Sequence, residues 1–138
     1  MKEYCVDLEI AKELKINGFV QKAIWYWIFD NYNQTNFIQH ECLDEEDSLL
    51  CSSPTTDELL KELPNFIIEN NTVYYLNIFR DTYTCVYGEY TECFYYVSYA
   101  THDGKSLNAP NNICIEKDRL PNCLATLWIY LKKEGYIE

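Results

Sequence analysis

Metal-binding and nucleophilic side chains crowd together most closely at His40-Glu41-Cys42-Leu43-Asp44. Alternate residues of a strand share a face, so the His40 imidazole and the Cys42 thiolate there reach one ion. A tetrahedral zinc centre needs four ligands, and no fourth stands at a recognisable spacing. Read instead as base and nucleophile, the pair needs an oxyanion hole. No glycine-rich elbow accompanies Cys42, or any cysteine that folding might bring to the second histidine, His102. The seven cysteines (5, 42, 51, 85, 93, 114, 123) are odd in number and include no Cys-x-x-Cys pair. They read as small buried hydrophobes, above all Cys85 and Cys93 in strand-like segments and Cys123 on a helix. The glycines at 18, 88, 104 and 135 are scattered, with no G-x-G or G-K-[ST] unit to cradle a phosphate. The adjacent carboxylates Glu45 and Glu46 are indistinguishable from a solvated loop. No catalytic residue, cofactor or metal ligand is assigned from the sequence.

The unusual chemistry is aromatic. The 138 residues hold 13 Tyr, 6 Phe and 3 Trp. Half of these rings lie between Phe66 and Ala100. So many rings exceed what so small an interior accommodates, and strand alternation sends some outward. Exposed tyrosines make good contact residues: they bring a large area at low entropic cost, and a hydroxyl besides. Tyr74, Tyr75, Phe79, Tyr83, Tyr95 and Tyr96 are the candidate contact residues. Cover by residues 101–117 is the structural alternative to a partner or a second copy.

Charge narrows the partner. Eleven bases against 22 acids give a net charge of −11. Residues 41–62 carry eight acids and one base, and 101–138 balance to zero. Glu45, Glu46 and Asp47 therefore join the candidate surface as an acidic rim for a basic partner. The same run also reads as a solvated loop followed by a helix start that favours acids. Direct nucleic-acid binding is disfavoured, because phosphate contacts and base stacking both need basic residues nearby. Residues 63–100 hold one base, Arg80, against four acids.

The elements that must position these residues follow from periodicity. Asp7 predicts a cap for a first helix carrying Leu8, Ile10, Ala11 and Leu14, closed by Gly18, with Phe19 folding back on it. Lys22–Phe29 is a dense apolar run, predicted as a strand covered on both faces. A turn over 30–34 leads to a return strand at 36–42, and 43–50 reads as loop. Ser53 with Pro54, or Thr55 with Glu58, starts a helix that buries Leu59, Leu60 and Leu63 and ends at Pro64. Thr72–Arg80 alternates Tyr74, Leu76 and Ile78 against Val73, Tyr75 and Phe79. Glu92–Tyr99 puts Cys93, Tyr95, Val97 and Tyr99 on one face. A last helix begins near Asp118, tolerates Pro121, and buries Leu120, Leu124, Leu127, Trp128 and Leu131 against the sheet. The expected fold is one α+β domain over 1–138: two layers, three helices on an antiparallel sheet of four or five strands.

Three segments, DLEIAKELKINGF, SSPTTDELLKELP and LATLWIYLKKEGYIE, carry a resemblance. In order and spacing they resemble small uncharacterised proteins of Bacteroides-type bacteria and their phages. That family has no assigned activity, so the resemblance implies a single intracellular domain, with a phage or other mobile element among its expected sources, and transfers no functional residue. No apolar run approaches the roughly 18 residues of a membrane span, and MKEYCVDLEI lacks a signal-peptide core. The expectation is a cytoplasmic, non-catalytic interaction or accessory protein that binds another protein or a second copy. A binding module with a tyrosine-lined pocket is the alternative reading, and an enzyme built on His40 and Cys42 a third.

Overall fold

The computed structural model describes residues 4–40, 47–84, 91–105 and 119–138, leaving aside the side chains at 47–48, 82–84 and 91–93. Helix α1 spans Leu8–Ile16 and buries Ala11 and Leu14. Gly18, at φ 86°, turns the chain out of the helix, and the Phe19 N–H donates to the Leu14 carbonyl at 2.9 Å. The Phe19 ring then stands edge-on to Trp128 with centroids 5.0 Å apart. Asp7 occupies the N-cap position, but its carboxylate makes no capping bond. It instead receives the Arg119 guanidinium and the Asn122 amide at 2.8 Å. Charge-assisted bonds from a distant helix outcompete a local cap. The N-terminal segment is thereby tied to the C-terminal helix.

The first sheet is built on β1 (Trp25–Asp30), with β2 (Thr35–His40) and β3 (Asp47–Ser52) antiparallel on its two edges. Asp30 organises the β1–β2 turn by accepting the N–H groups of Tyr32 and Asn33. Tyr26, Trp27 and Ile28 are consecutive and all buried, so both faces of β1 are covered, as its composition predicts. β3 occupies part of the stretch read as loop. Acidic composition masked it, but pairing with the apolar β1 overrides weak local propensity. A register shift places Trp27 opposite Cys51 and Ile28 opposite Leu49. Leu50 falls between these pairs, and its carbonyl accepts Lys15 Nζ at 2.7 Å.

Helix α2 (Thr56–Glu62) starts with the Thr55/Glu58 capping box rather than a Ser53 cap. Ser53 is buried and donates to the Val6 carbonyl at 2.8 Å. The second sheet follows: β4 (Phe66–Glu69), β5 (Thr72–Thr84) and β6 (Thr91–Ala100), in the order β4-β5-β6. Asn70 and Asn71, at φ 51° and 62°, make the tight β4–β5 turn. Two successive left-handed residues match the twist of the strands they join, and asparagine tolerates that conformation.

The expectation of one four- or five-stranded sheet is corrected: the described strands form two three-stranded antiparallel sheets. β1 spends both edges on β2 and β3, and β5 pairs with β4 on one edge and β6 on the other. The two sheets share a core instead of a ladder. Trp27 and Cys51 of the first sheet and Ile67, Val97 and Tyr99 of the second belong to one buried cluster with Leu124, Leu127, Trp128 and Leu131. These last four lie on α3 (Leu120–Lys133), which is buried well beyond the single predicted stripe and also covers Cys123, Ala125 and Ile129. It contacts β6, α1 and α2, a central position that calls for an apolar surface nearly all round. Pro121 sits in its first turn as predicted, and Arg119 holds the N-cap position. The predicted cap Asp118, and Cys85, lie outside the described residues.

Candidate protein-interaction face

The second sheet has one face on the core, except beyond Leu76 where Ile78 on that side is 40% exposed, and one turned away from it. Cross-strand partners share a face and neighbours along a strand alternate. The ladders pair Phe66 with Tyr75, Ile68 with Val73, Phe79 with Tyr96, and Asp81 with Phe94, all on the outer side. Ile67, Tyr74, Leu76, Tyr95, Val97 and Tyr99 point inward, in or against the core cluster. The Tyr99 hydroxyl donates to the Pro64 carbonyl, and burial pushes that phenol far above its usual range.

On the outer side Phe66 is 51% exposed, Ile68 63%, Tyr75 39% and Phe79 59%. Phe79 meets Tyr96 across the strands at 6.1 Å. At the other end Tyr75 lies against the His102 imidazole, centroids 4.5 Å apart. Asn77 and Ser98 face each other in the middle of the same surface. Among the described side chains of the two strands' outer face, the first formal charge is Asp81, at the far end from Tyr75. The four exposed side chains leave on the order of 400 Å² of apolar area, taking about 150–250 Å² for each whole aromatic side chain. An antiparallel sheet with a solvated outer face ordinarily makes that face polar. This one is aromatic and nearly uncharged, on a chain of net charge −11.

The candidate residues thus divide. Tyr75, Phe79 and Tyr96 share the outer face, where Phe79 and Tyr96 touch and Tyr75 lies at the other end against His102. Tyr74 and Tyr95 turn inward and pack on the core. Tyr83 belongs to β5 and Asp47 opens β3, with their side chains outside the described set, and Glu45 and Glu46 lie outside the described residues. Sequence reasoning missed Phe66 and Ile68. FIIE is apolar at three successive positions, so its own pattern does not assign a face. The Asn70-Asn71 turn was the available signal, because a two-residue turn fixes the register with β5.

Comparison with protein-family models, with curated proteins and with solved structures returns no match. Physical chemistry must therefore carry the functional reading. Among the described residues, no three of His, Cys, Asp or Glu gather as a metal site would require. Cys42 and Asp44, the partners expected for His40, lie outside the described residues. His40 itself is exposed at the end of β2, edge-on to Trp25 at 5.5 Å. Burial pushes the Cys5 and Cys51 thiols up, which keeps them protonated and unreactive at neutral pH. A hollow of about 230 Å³, with a single tyrosine in its lining, lies between Tyr75, Asn77, Thr101 and His102 at the edge of the aromatic face. No helix among the described residues is long and apolar enough to cross a membrane.

Proposed function

We propose that this chain is a non-catalytic protein-binding factor whose contact surface is the outer face of the β4-β5-β6 sheet. Its partner is a protein with an apolar patch rimmed by basic side chains. The observation carrying this reading is that Phe66, Ile68, Tyr75 and Phe79 are all about half-exposed on one sheet face that is almost without charge and is broken only by the polar pair Asn77 and Ser98. Exposed patches of several hundred Å² on small proteins commonly mark interaction sites. This one has the size of the apolar centre of an ordinary interface, which takes about 800 Å² per partner with its rim.

Charge favours a basic partner over a second copy. Two chains of net −11 repel one another, and the described outer face offers no basic residue to offset that. A basic partner is attracted, which speeds encounter and makes association sensitive to salt.

The test compares wild type with Phe66→Ser/Phe79→Ser. Both rings are more than half exposed, so the fold should survive, which circular dichroism checks. The reading expects a monomer by sedimentation velocity at micromolar concentration. It further expects a basic protein to be retained on the immobilised wild type at 50 mM salt, released at 300 mM, and lost with the double variant. Protection of β4–β6 from hydrogen exchange in that complex would locate the contact. A face-dependent dimer, equal retention by the double variant, or no retained protein would each overturn it.

A further inference from the structure

The corner that follows α1 carries the one Asn-Gly pair of the chain, Asn17-Gly18. Such a pair has chemistry of its own. The main-chain nitrogen of the glycine attacks the side-chain amide carbon of the asparagine and closes a five-membered imide. Glycine favours the step because it has no Cβ to crowd the approach. Gly18 is exposed, and a Cβ placed on it would meet nothing within 4 Å, so solvent reaches the corner.

The folded corner keeps the two reacting atoms apart. Asn17 is the C-cap of α1, at φ −83° and ψ 7°. Ring closure needs the Cα–Cβ bond of Asn17 to lie alongside the C–N bond to Gly18. At this ψ the main-chain nitrogen of Asn17 lies there instead, and Cβ is rotated away. Two hydrogen bonds fix the arrangement. Asn17 Nδ2 donates to the Glu13 carbonyl at 2.8 Å, and the Gly18 N–H donates to the Lys15 carbonyl at 3.1 Å. The next link, from the Phe19 N–H to the Leu14 carbonyl, seats a buried ring against Trp128. Reaction therefore requires the last turn of α1 to open, which releases both bonds and frees ψ. Helix ends open at a small fraction of the cost of global unfolding.

We infer that Asn17-Gly18 is a latent deamidation site, silenced by the folded end of α1 and converted to aspartate or isoaspartate when that turn opens. Gly18 N bonds to Asn17 Cγ, the Cγ–Nδ2 bond breaks, and ammonia leaves with the Gly18 amide proton. Water then opens the imide. Addition at Cγ yields aspartate. Addition at the Asn17 main-chain carbonyl yields isoaspartate, with the side-chain methylene now part of the backbone. Neither product restores the corner. Both lose the Nδ2 donor to the Glu13 carbonyl, and both add a negative charge at the negative end of α1. Isoaspartate also lengthens the main chain before Phe19, displacing the bonds that Gly18 and Phe19 return to the helix. The modification thus reinforces the opening that admits it. This site stands whether or not the sheet face binds a partner.

The experiment incubates the full chain at pH 8 and 37 °C, in native buffer and in 8 M urea, and follows ammonia release and isoaspartate by peptide mapping. In urea, Asn17 should convert before any other asparagine. In native buffer its conversion should be slower by about tenfold or more, because it waits on local opening. Phe19→Leu loosens the ring on Trp128 and leaves the dipeptide intact. It should speed the native conversion severalfold without changing the rate in urea. Urea below the unfolding transition should do the same for the wild type. The aged protein should melt a few degrees lower, and Asn17→Asp should reproduce part of that drop. Equal rates in the two solvents would show that the corner gives no protection. That result, earlier conversion at another asparagine, native rates unmoved by Phe19→Leu and by low urea, or an unchanged melting temperature after ageing would each overturn the inference.

Discussion

The Val6 carbonyl is completely buried and accepts two hydrogen bonds from distant parts of the chain. Trp27 Nε1 donates at 2.9 Å from the centre of the first sheet, and Ser53 Oγ donates at 2.8 Å from the approach to α2. A buried hydrogen bond contributes about 1 kcal/mol net, whereas a buried acceptor left with no partner costs about 1–3 kcal/mol. Ser53→Ala leaves the indole in place and should cost about 1 kcal/mol. Trp27→Phe loses one bond and part of a ring that is 6% exposed. Adding the lost volume brings it to about 2–3 kcal/mol. Either single variant leaves the carbonyl one donor, and only the double variant strands it. The double variant should therefore be less stable than the sum of the singles by about 1–2 kcal/mol. Urea unfolding of the four proteins at pH 7 measures this coupling. Additivity within about 0.5 kcal/mol would show that the carbonyl is not shared in this way, and would refute the reasoning.

Two further outcomes follow from the turn and from the phenols of Tyr99 and Tyr136. Asn71→Gly should leave stability unchanged or raise it by a few tenths of a kcal/mol, while Asn71→Ala should cost about 1 kcal/mol, because φ 62° suits glycine and strains alanine; thermal melts distinguish the two. Alkaline pH should destabilise the fold: the Tyr136 phenol, desolvated and donating to Glu69, is pushed up to about 12, and burial also raises Tyr99. A raised folded-state value means that the native state keeps protons the unfolded chain loses. This stabilisation is complete below pH 10 and declines as pH rises toward 12. Urea midpoints at pH 8, 10 and 11 should fall in that order, and Tyr136→Phe should lessen the decline.

Local signals in the sequence determined the elements. Gly18 ended α1, the Thr55/Glu58 box began α2, and Pro121 entered the first turn of α3, because caps and backbone restrictions act within a few residues. Alternation likewise assigned Tyr75 and Phe79 to one side of β5 and Tyr74 and Leu76 to the other. It did not tell which side would meet the core, and Tyr74 and Tyr95 were consequently counted with the contact surface. β3 was hidden in an acidic stretch, since its stability comes from pairing with β1. The division into two sheets was equally invisible. Periodicity specifies which residues of a strand share a face, and edge pairing specifies the neighbours. Pairing depends on residues far apart in sequence.

A cleft beside α2 shows the same limit more sharply. Lys22, His40 and Lys61 bear no recognisable spacing, and only folding sets them around one hollow. The sequence by itself determined the inventory: more rings than a small core absorbs, and far more acids than bases. Tertiary structure alone decided where the surplus went, leaving Phe66, Ile68, Tyr75 and Phe79 outside because α3 and the first sheet fill the interior against the opposite face. Composition sets what must be buried or shown, but burial is a property of long-range contacts, and those exist only once the chain has closed on itself.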